Sequence, residues 1–380
     1  MAHPIKIAAI QMDANPAPTQ DRLDRAESLV TDAAYGGAQL VVLPELFNTG
    51  YTYADSNHRL AESFDGPTVT WMRDTAAYLN IHLAGSFLLL DHMDVYNALL
   101  LFTPDERIWR YDKNYPWGWE RGYFRAGDGI TVADTDLGRI GMMICWDAGH
   151  LDLWRQYAGQ IDLMLISSSP PDVSNPTYHF PNGDQVTMDQ MGPLVAPFKN
   201  TGRRVFGDMI NEQTAWLGVP AVNTVACGHI ETHIPNGFGS VLSMLPAAPR
   251  LVKYLPQANR IRLSCDFVPG CKVVDADGRV LAELSQDEGE TFTMAEVVLA
   301  NERPQPARPQ PRSRLSFLIY LTSDTILPLL TIPTYRRGLR RVWGRHMAPV
   351  EAETRQWLVL LGFGMAIAFL FGWLLGRRRD

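Results

Sequence analysis

Short apolar runs separated by helix-patterned segments constrain this chain more than any other feature. Ile5–Gln11, Gln39–Leu43, His82–Leu88, Arg139–Cys145, Leu163–Ser167 and Ala221–Val225 read as strands. Several are apolar at successive rather than alternate positions, so both of their faces must be covered. Between them, Thr19–Gly36 sets Leu23, Ala26, Leu29, Val30 and Ala33 on one helical face, and Thr68–Leu79 and His150–Ala158 are also helix-patterned. Asn97–Phe102 and Ile108–Tyr111 have the spacing of a hairpin. The pattern predicts a mixed α/β domain whose sheet lies buried under helices. With 46% apolar and 10% aromatic residues, the chain is too rich in core material to be disordered.

Three residues able to do chemistry fall where predicted strands end. Glu45 follows a buried run in Val41–Glu45, with Pro44 forcing an extended turn. Lys113 follows the second hairpin strand, and Cys145 stands where the apolar run Ile140–Ile144 stops. Strand ends in α/β sheets are where ligands usually bind. Taken singly, a cysteine here is a small buried residue, a glutamate a cap or ion pair, and a lysine a surface group. Taken together they suit thiolate chemistry: the carboxylate takes the thiol proton, and the ammonium favours the thiolate and then an oxyanion.

With their flanks, these residues resemble the motifs of the nitrilase (carbon–nitrogen hydrolase) superfamily. Leu43–Tyr51 (LPELFNTGY) is similar to the motif of the general-base glutamate, Tyr111–Pro116 to the lysine motif and Gly141–Asp147 to the nucleophile motif. Glu120–Asp128 (ERGYFRAGD) is similar to the segment with a second active-site glutamate, which falls on Glu120. Trp216–Asn223 and Cys271–Leu284 resemble a late helix-to-strand segment and the final hairpin, so the likeness runs over residues 5–300. The resemblance implies an αββα four-layer sandwich that dimerises across its helical faces and often builds larger assemblies. It assigns catalytic roles to Glu45, Lys113, Cys145 and Glu120, with no metal and no cofactor.

The chain also departs from the family pattern. The arginine that often follows the cysteine in amidase-like members is missing from Ala148–His150. Asp147 stands where true nitrilases usually carry Glu, which leans toward amide over nitrile cleavage. The segment Leu242–Gly270 reads as an insertion. Tyr51, Tyr115, Trp117, Trp119 and Trp146, with Asp147, are the expected substrate-binding residues, and so aromatic a lining suits an apolar or aryl acyl group. Ordinary core packing is the alternative for these rings. His179, His229 and His233 read as surface residues.

Net charge is −7, yet residues 301–380 hold thirteen Arg, no Lys and five acids. The main body is therefore strongly acidic, which argues against a nucleic-acid partner. The tail points to a membrane. Trp357–Leu375 is nineteen residues without a charge, followed by Arg377–Arg379. As a helix it spans roughly 28 Å, close to the ~30 Å bilayer core. The expected organisation is a hydrolase domain over 1–300, a Pro/Arg-rich linker over 301–314, a basic interfacial or membrane-dipping segment over 315–345, and a transmembrane helix over 357–375. Asp324 argues against a second full span. Ile7–Ile10 is too short for a signal-peptide core, so the catalytic domain is expected in the cytoplasm. Arg on both flanks leaves the orientation of the final helix open. The four cysteines show neither disulfide nor zinc spacing.

The functional expectation is a membrane-anchored amide hydrolase working through a cysteine thioester on a small or lipid-like amide. An N-acyltransferase or a nitrile hydrolase would use the same Glu–Lys–Cys set. A non-catalytic membrane scaffold is the alternative of another class.

Overall fold

The computed structural model describes residues 3–344 except Met93, Asn175, Ala307 and Arg314, and the side chains of His3 and Leu194 are not described. The run Trp357–Leu375 lies outside the described residues. Two six-stranded sheets form the body. The first runs in the order Thr291–Leu299, His3–Gln11, Leu40–Val42, His82–Asp91, Asp94–Phe102, Ile108–Asp112. The second runs Val280–Leu284, Cys271–Val274, Ala221–Thr224, Leu163–Ser167, Gly138–Ile144, Val132–Thr135.

Strand alternation explains the layers. Ile5, Ile7, Ala9, Leu40, Val42, Leu99 and Leu101 point into a core shared with the second sheet. Their neighbours Ala8, Ile10, Val41, Ala98 and Leu100 point the other way, onto Leu23, Ala26 and Val30 of the helix Thr19–Tyr35 and Met72 and Ala76 of the helix Pro67–Leu79. A strand covered on both faces has no polar side to show, hence the continuous apolar runs. The far face of the second sheet is covered by Leu151–Tyr157 and Ile210–Leu217, which completes four layers, helix–sheet–sheet–helix.

The hairpin expected at Asn97–Phe102 and Ile108–Tyr111 is part of a three-stranded antiparallel meander, because Asp94–Phe102 also pairs with His82–Asp91 along its whole length. The strand Thr291–Leu299 has no counterpart in the sequence reading. It pairs antiparallel with His3–Gln11 over nine positions and closes the first sheet.

The segment Leu242–Gly270 builds a separate feature. Arg262–Asp266 joins a four-stranded sheet with Gln185–Thr187, Thr177–His179 and His229–His233. Exposed or half-exposed His179, His229 and His233 lie on this sheet. Beneath it, a second apolar cluster joins Trp119, Tyr178, Met188, Leu263, Leu327 and Tyr335.

The region 315–345, expected to lie on or dip into a membrane, contains a helix that docks on this domain by one face. Phe317–Trp343 is long and apolar enough to cross a bilayer, but Leu327, Thr331, Tyr335 and Leu339 recur at i, i+4 and are buried against the protein. Leu327 and Thr331 seat on the turn Gly118–Gly122, at Gly118 and Gly122. The Tyr335 hydroxyl donates to Asp94 (2.7 Å), and the Trp343 indole donates to the carbonyl of His58 (2.8 Å). Its arginines stay on the outer side: Arg337, Arg340 and Arg341 are exposed. The segment expected as a linker runs along the domain surface, with Gln310 bonded to Leu151 and Gln213.

Candidate active site

Glu45, Lys113 and Cys145 each stand just past a strand of the sandwich, on the edge where both sheets open. Glu45 is held from every side. Its Oε1 accepts from Lys113 Nζ (2.7 Å) and Asn97 Nδ2 (2.8 Å), and its Oε2 accepts from the Ser169 N–H (3.0 Å). Lys113 Nζ also meets Glu120 Oε2 at 2.7 Å, so a buried ammonium lies between two buried carboxylates. Glu120 accepts from the Tyr51 hydroxyl (2.6 Å) and from the Trp117 N–H (2.7 Å), tying the Gly118–Gly122 turn to the site.

Cys145 ends the strand Gly138–Ile144 and opens a tight 3-10 turn, Cys145–Gly149. Its φ is 49°, a left-handed conformation that costs a non-glycine residue of order 1–3 kcal/mol and is found where the surrounding structure enforces it. Asp147 is the enforcer. Its carboxylate accepts from the N–H groups of Ile144 (3.2 Å) and Tyr115 (2.8 Å) and from the Tyr111 hydroxyl (2.8 Å). Leu46, beside the general-base candidate, is also left-handed at 54° and anchors its N–H on Ser86 Oγ. The Cys145 thiol lies within electrostatic reach of Glu45, Lys113 and Glu120, so nucleophile and base share one buried neighbourhood. Cys145 is buried, with 5% of the residue accessible, and lines a small cavity.

The electrostatics define the resting state. Burial pushes the Cys145 thiol well above its usual range; Glu45 and Glu120 add to this and Lys113 offsets only part. The resting sulfur is therefore a thiol that needs a base. Burial opposes the Lys113 ammonium, but Glu120 and Glu45 outweigh it and hold the pKa well above that of an ordinary lysine. Glu120 is pushed up to about 7, by burial first and then by Glu45, against the pull of Lys113. Among the described residues, no group of His, Cys, Asp and Glu is placed to hold a metal ion.

The structure thus brings Glu45, Lys113, Glu120 and Cys145 together. It divides the residues expected to bind substrate. Tyr51, Trp117 and Trp146 line the cavity at Cys145 with Pro170, Phe206 and others. Trp119 faces a separate apolar chamber and donates its indole N–H to Ser240 Oγ (3.0 Å). Tyr115 lies on another cleft, stacked on His150 at 3.5 Å. Asp147 is fully buried in the bracing of the nucleophile turn and is spent on that role. Sequence reasoning missed Asn97, Ser169 and Asp324. Ser169 follows the predicted strand Leu163–Ser167, a signal of the same kind that marked Glu45. Asp324 reaches the site from the C-terminal helix, accepting from the Trp146 indole at 2.7 Å, and no local pattern announces that contact.

With this geometry in view, comparison with known proteins is informative. Residues 6–191 match the family model of carbon-nitrogen hydrolases. A nitrilase from Pyrococcus abyssi is 32% identical over 147 residues, covering 38% of this chain and 56% of that enzyme. An omega-amidase from Xenopus laevis is 31% identical over 174 residues, covering 42% of this chain and 62% of that enzyme. The chain spans about half to three fifths of the length of such curated relatives. Among solved structures, the carbon–nitrogen hydrolase superfamily protein XC1258 from Xanthomonas campestris aligns with a TM-score of 0.55 at 19% identity, covering 79% of this chain and 91% of that one. An amidase from Nesterenkonia sp. aligns at 0.54 and 18% identity, covering 79% and 91%. These solved structures show the nitrilase-like fold. Together with the family model and the curated relatives, they support membership of the nitrilase (carbon–nitrogen hydrolase) superfamily.

Proposed function

We propose that this protein hydrolyses an amide carrying an apolar or aryl acyl group, through a thioester on Cys145, and that its C-terminal run Trp357–Leu375 anchors it to a membrane. The observation that carries the chemistry is the buried Glu45–Lys113–Glu120 chain beside a cysteine in a left-handed backbone conformation that lines the same small cavity as Glu120.

Glu45 takes the Cys145 proton as sulfur attacks the amide carbonyl. Two of the three Lys113 N–H donors are engaged by carboxylates, which leaves the third for the oxyanion, with the Trp146 N–H as its partner donor. The C–N bond breaks as Glu45 returns the proton to nitrogen, and ammonia or an amine leaves. Water then attacks the thioester and gives its proton to Glu45; the C–S bond breaks, the carboxylic acid departs and the sulfur recovers its proton. Glu120 acts as a positioning residue for Lys113 and the Trp117 turn.

Product analysis tests the chemistry. Purified protein is incubated with a primary amide, the corresponding nitrile, and the amide plus an added amine. Acid formed from the amide supports the reading; acid formed only from the nitrile, or a new amide formed with the amine, replaces it with nitrile hydrolysis or acyl transfer. A scaffold would release no product and would show no Glu45-dependent labelling of Cys145. Alkaline carbonate extraction of membranes from cells expressing the full chain tests the anchor: the protein should stay with the lipid.

A further inference from the structure

The cavity at the nucleophile is very small, about 30 Å³, roughly the share of one water molecule in the liquid. It accommodates the reacting group and little else. Trp117 and Val173 line this cavity and also line a second one, of about 150 Å³, on their other side. The second chamber is almost wholly apolar. Met188, Met191 and Phe198 form one wall, Met244 and Ala247 another, and Ile326 of the C-terminal helix a third. Cavities of this volume with apolar walls stay dry and take a benzene-sized guest. Two of the walls come from segments beyond the matched family region 6–191: Leu242–Gly270 and the docked helix Phe317–Trp343.

We propose that this chamber is the acyl-tail subsite of the enzyme, selecting amides whose acyl group ends in about six carbons of alkyl chain or one phenyl ring. The inference rests on the hydrolase reading above and adds where the tail goes and how large it is. The acyl side is favoured by the order of events. An amine seated in the apolar chamber would have to leave it before water could reach the thioester. An acyl tail stays seated through both half-reactions, and its binding free energy serves both.

The test is a series of primary amides from propanamide to octanamide, with 3-phenylpropanamide and N-hexylacetamide, assayed with the full-length protein. The expected result is a rise in kcat/KM of roughly fourfold per methylene up to heptanamide, which has six carbons beyond the carbonyl, then a plateau or fall as the chamber fills. Ala247→Phe should cut hexanamide turnover at least tenfold while leaving propanamide within about twofold. Met191→Ala should move the optimum to longer chains. Binding of hexanamide and propanamide to Cys145→Ala protein, followed by tryptophan fluorescence, separates the two readings. Chain-length-dependent binding that Ala247→Phe abolishes, without any turnover by the wild type, keeps the chamber and removes the hydrolase. Turnover with no chain-length dependence, or an equal effect of Ala247→Phe on all amides, keeps the hydrolase and overturns the chamber. Preference for N-hexylacetamide over hexanamide overturns the acyl assignment. Neither binding nor turnover overturns both.

Discussion

Cys145 combines a left-handed backbone conformation at the wall of a small cavity with a burial that keeps its proton on. In the proposed mechanism Glu45 accepts that proton as an electrophile arrives. Alkylation of Cys145 by iodoacetamide should therefore depend on Glu45, and Glu45→Gln should slow it by about 10²-fold or more, as measured by intact mass against time. Equal rates would remove the general base from the mechanism. Glu120 carries the pH dependence. With a pKa pushed up to about 7, it holds a proton in the folded enzyme that the unfolded chain has already lost. Its contribution to stability is thus present at low pH and fades as pH rises from about 4.5 through about 7. Glu120→Gln should flatten that part of the pH–stability curve and remove an ionisation near pH 7 from the kcat/KM profile, with activity falling about 10- to 100-fold.

Among the elements, the docked C-terminal helix has the sharpest dependence on a single buried group. His58 is fully buried beneath it, near the rings of Tyr123 and Tyr335, and neither ring nitrogen has a hydrogen-bond partner among the described residues. Burial lowers its pKa to about 4, with Asp55 offsetting only part. A histidine depressed in the folded state contributes stability that is whole above about 6.5 and is lost as pH falls toward about 4. Docking of the helix should weaken by up to about 3 kcal/mol over that window. Hydrogen exchange of the Leu327–Trp343 amides at pH 7 and pH 5 checks this, and His58→Phe should abolish the difference. The same contact explains Gly338: a Cβ there would sit 2.0 Å from the His58 ring. Gly338→Ala should cost about 1–3 kcal/mol of docking, visible as faster proteolysis at the helix.

For the molecule as a whole, the consequence of that docking is that the tail reaches the chemistry. Asp324 bonds the indole of Trp146, the residue beside the nucleophile, and Ile326 and Leu327 wall the apolar chamber. Asp324→Ala should free the Trp146 ring and lower kcat/KM about 3- to 10-fold without changing the fold, as checked by circular dichroism and steady-state rates. An unchanged rate would make the helix a structural brace only.

Local chemistry in the sequence was enough for the sandwich and for the cluster of Glu45, Lys113 and Cys145. Strands covered on both faces must be apolar at successive positions, so the runs before Glu45 and Cys145 stand out, and Lys113 is marked by the end of a hairpin strand; strand ends are where side chains meet at a sheet edge. What distance in the chain concealed, only folding revealed. Thr291–Leu299 closes the first sheet through pairing with His3–Gln11, and its half-exposed residues carry no strong apolar run to mark it. Asp147 looked like a pocket residue because it follows the cysteine by two, yet three donors from separated positions claim its carboxylate. Trp117 and Trp119 differ by two positions and one turn, with Gly118 at φ 50° between them, so one ring meets the nucleophile and the other does not. The stripe at Leu327, Thr331, Tyr335 and Leu339 specifies an amphipathic helix, but whether that face meets lipid or protein depends on a matching surface. The turn Gly118–Gly122 provides one, and only the tertiary structure brings the two together.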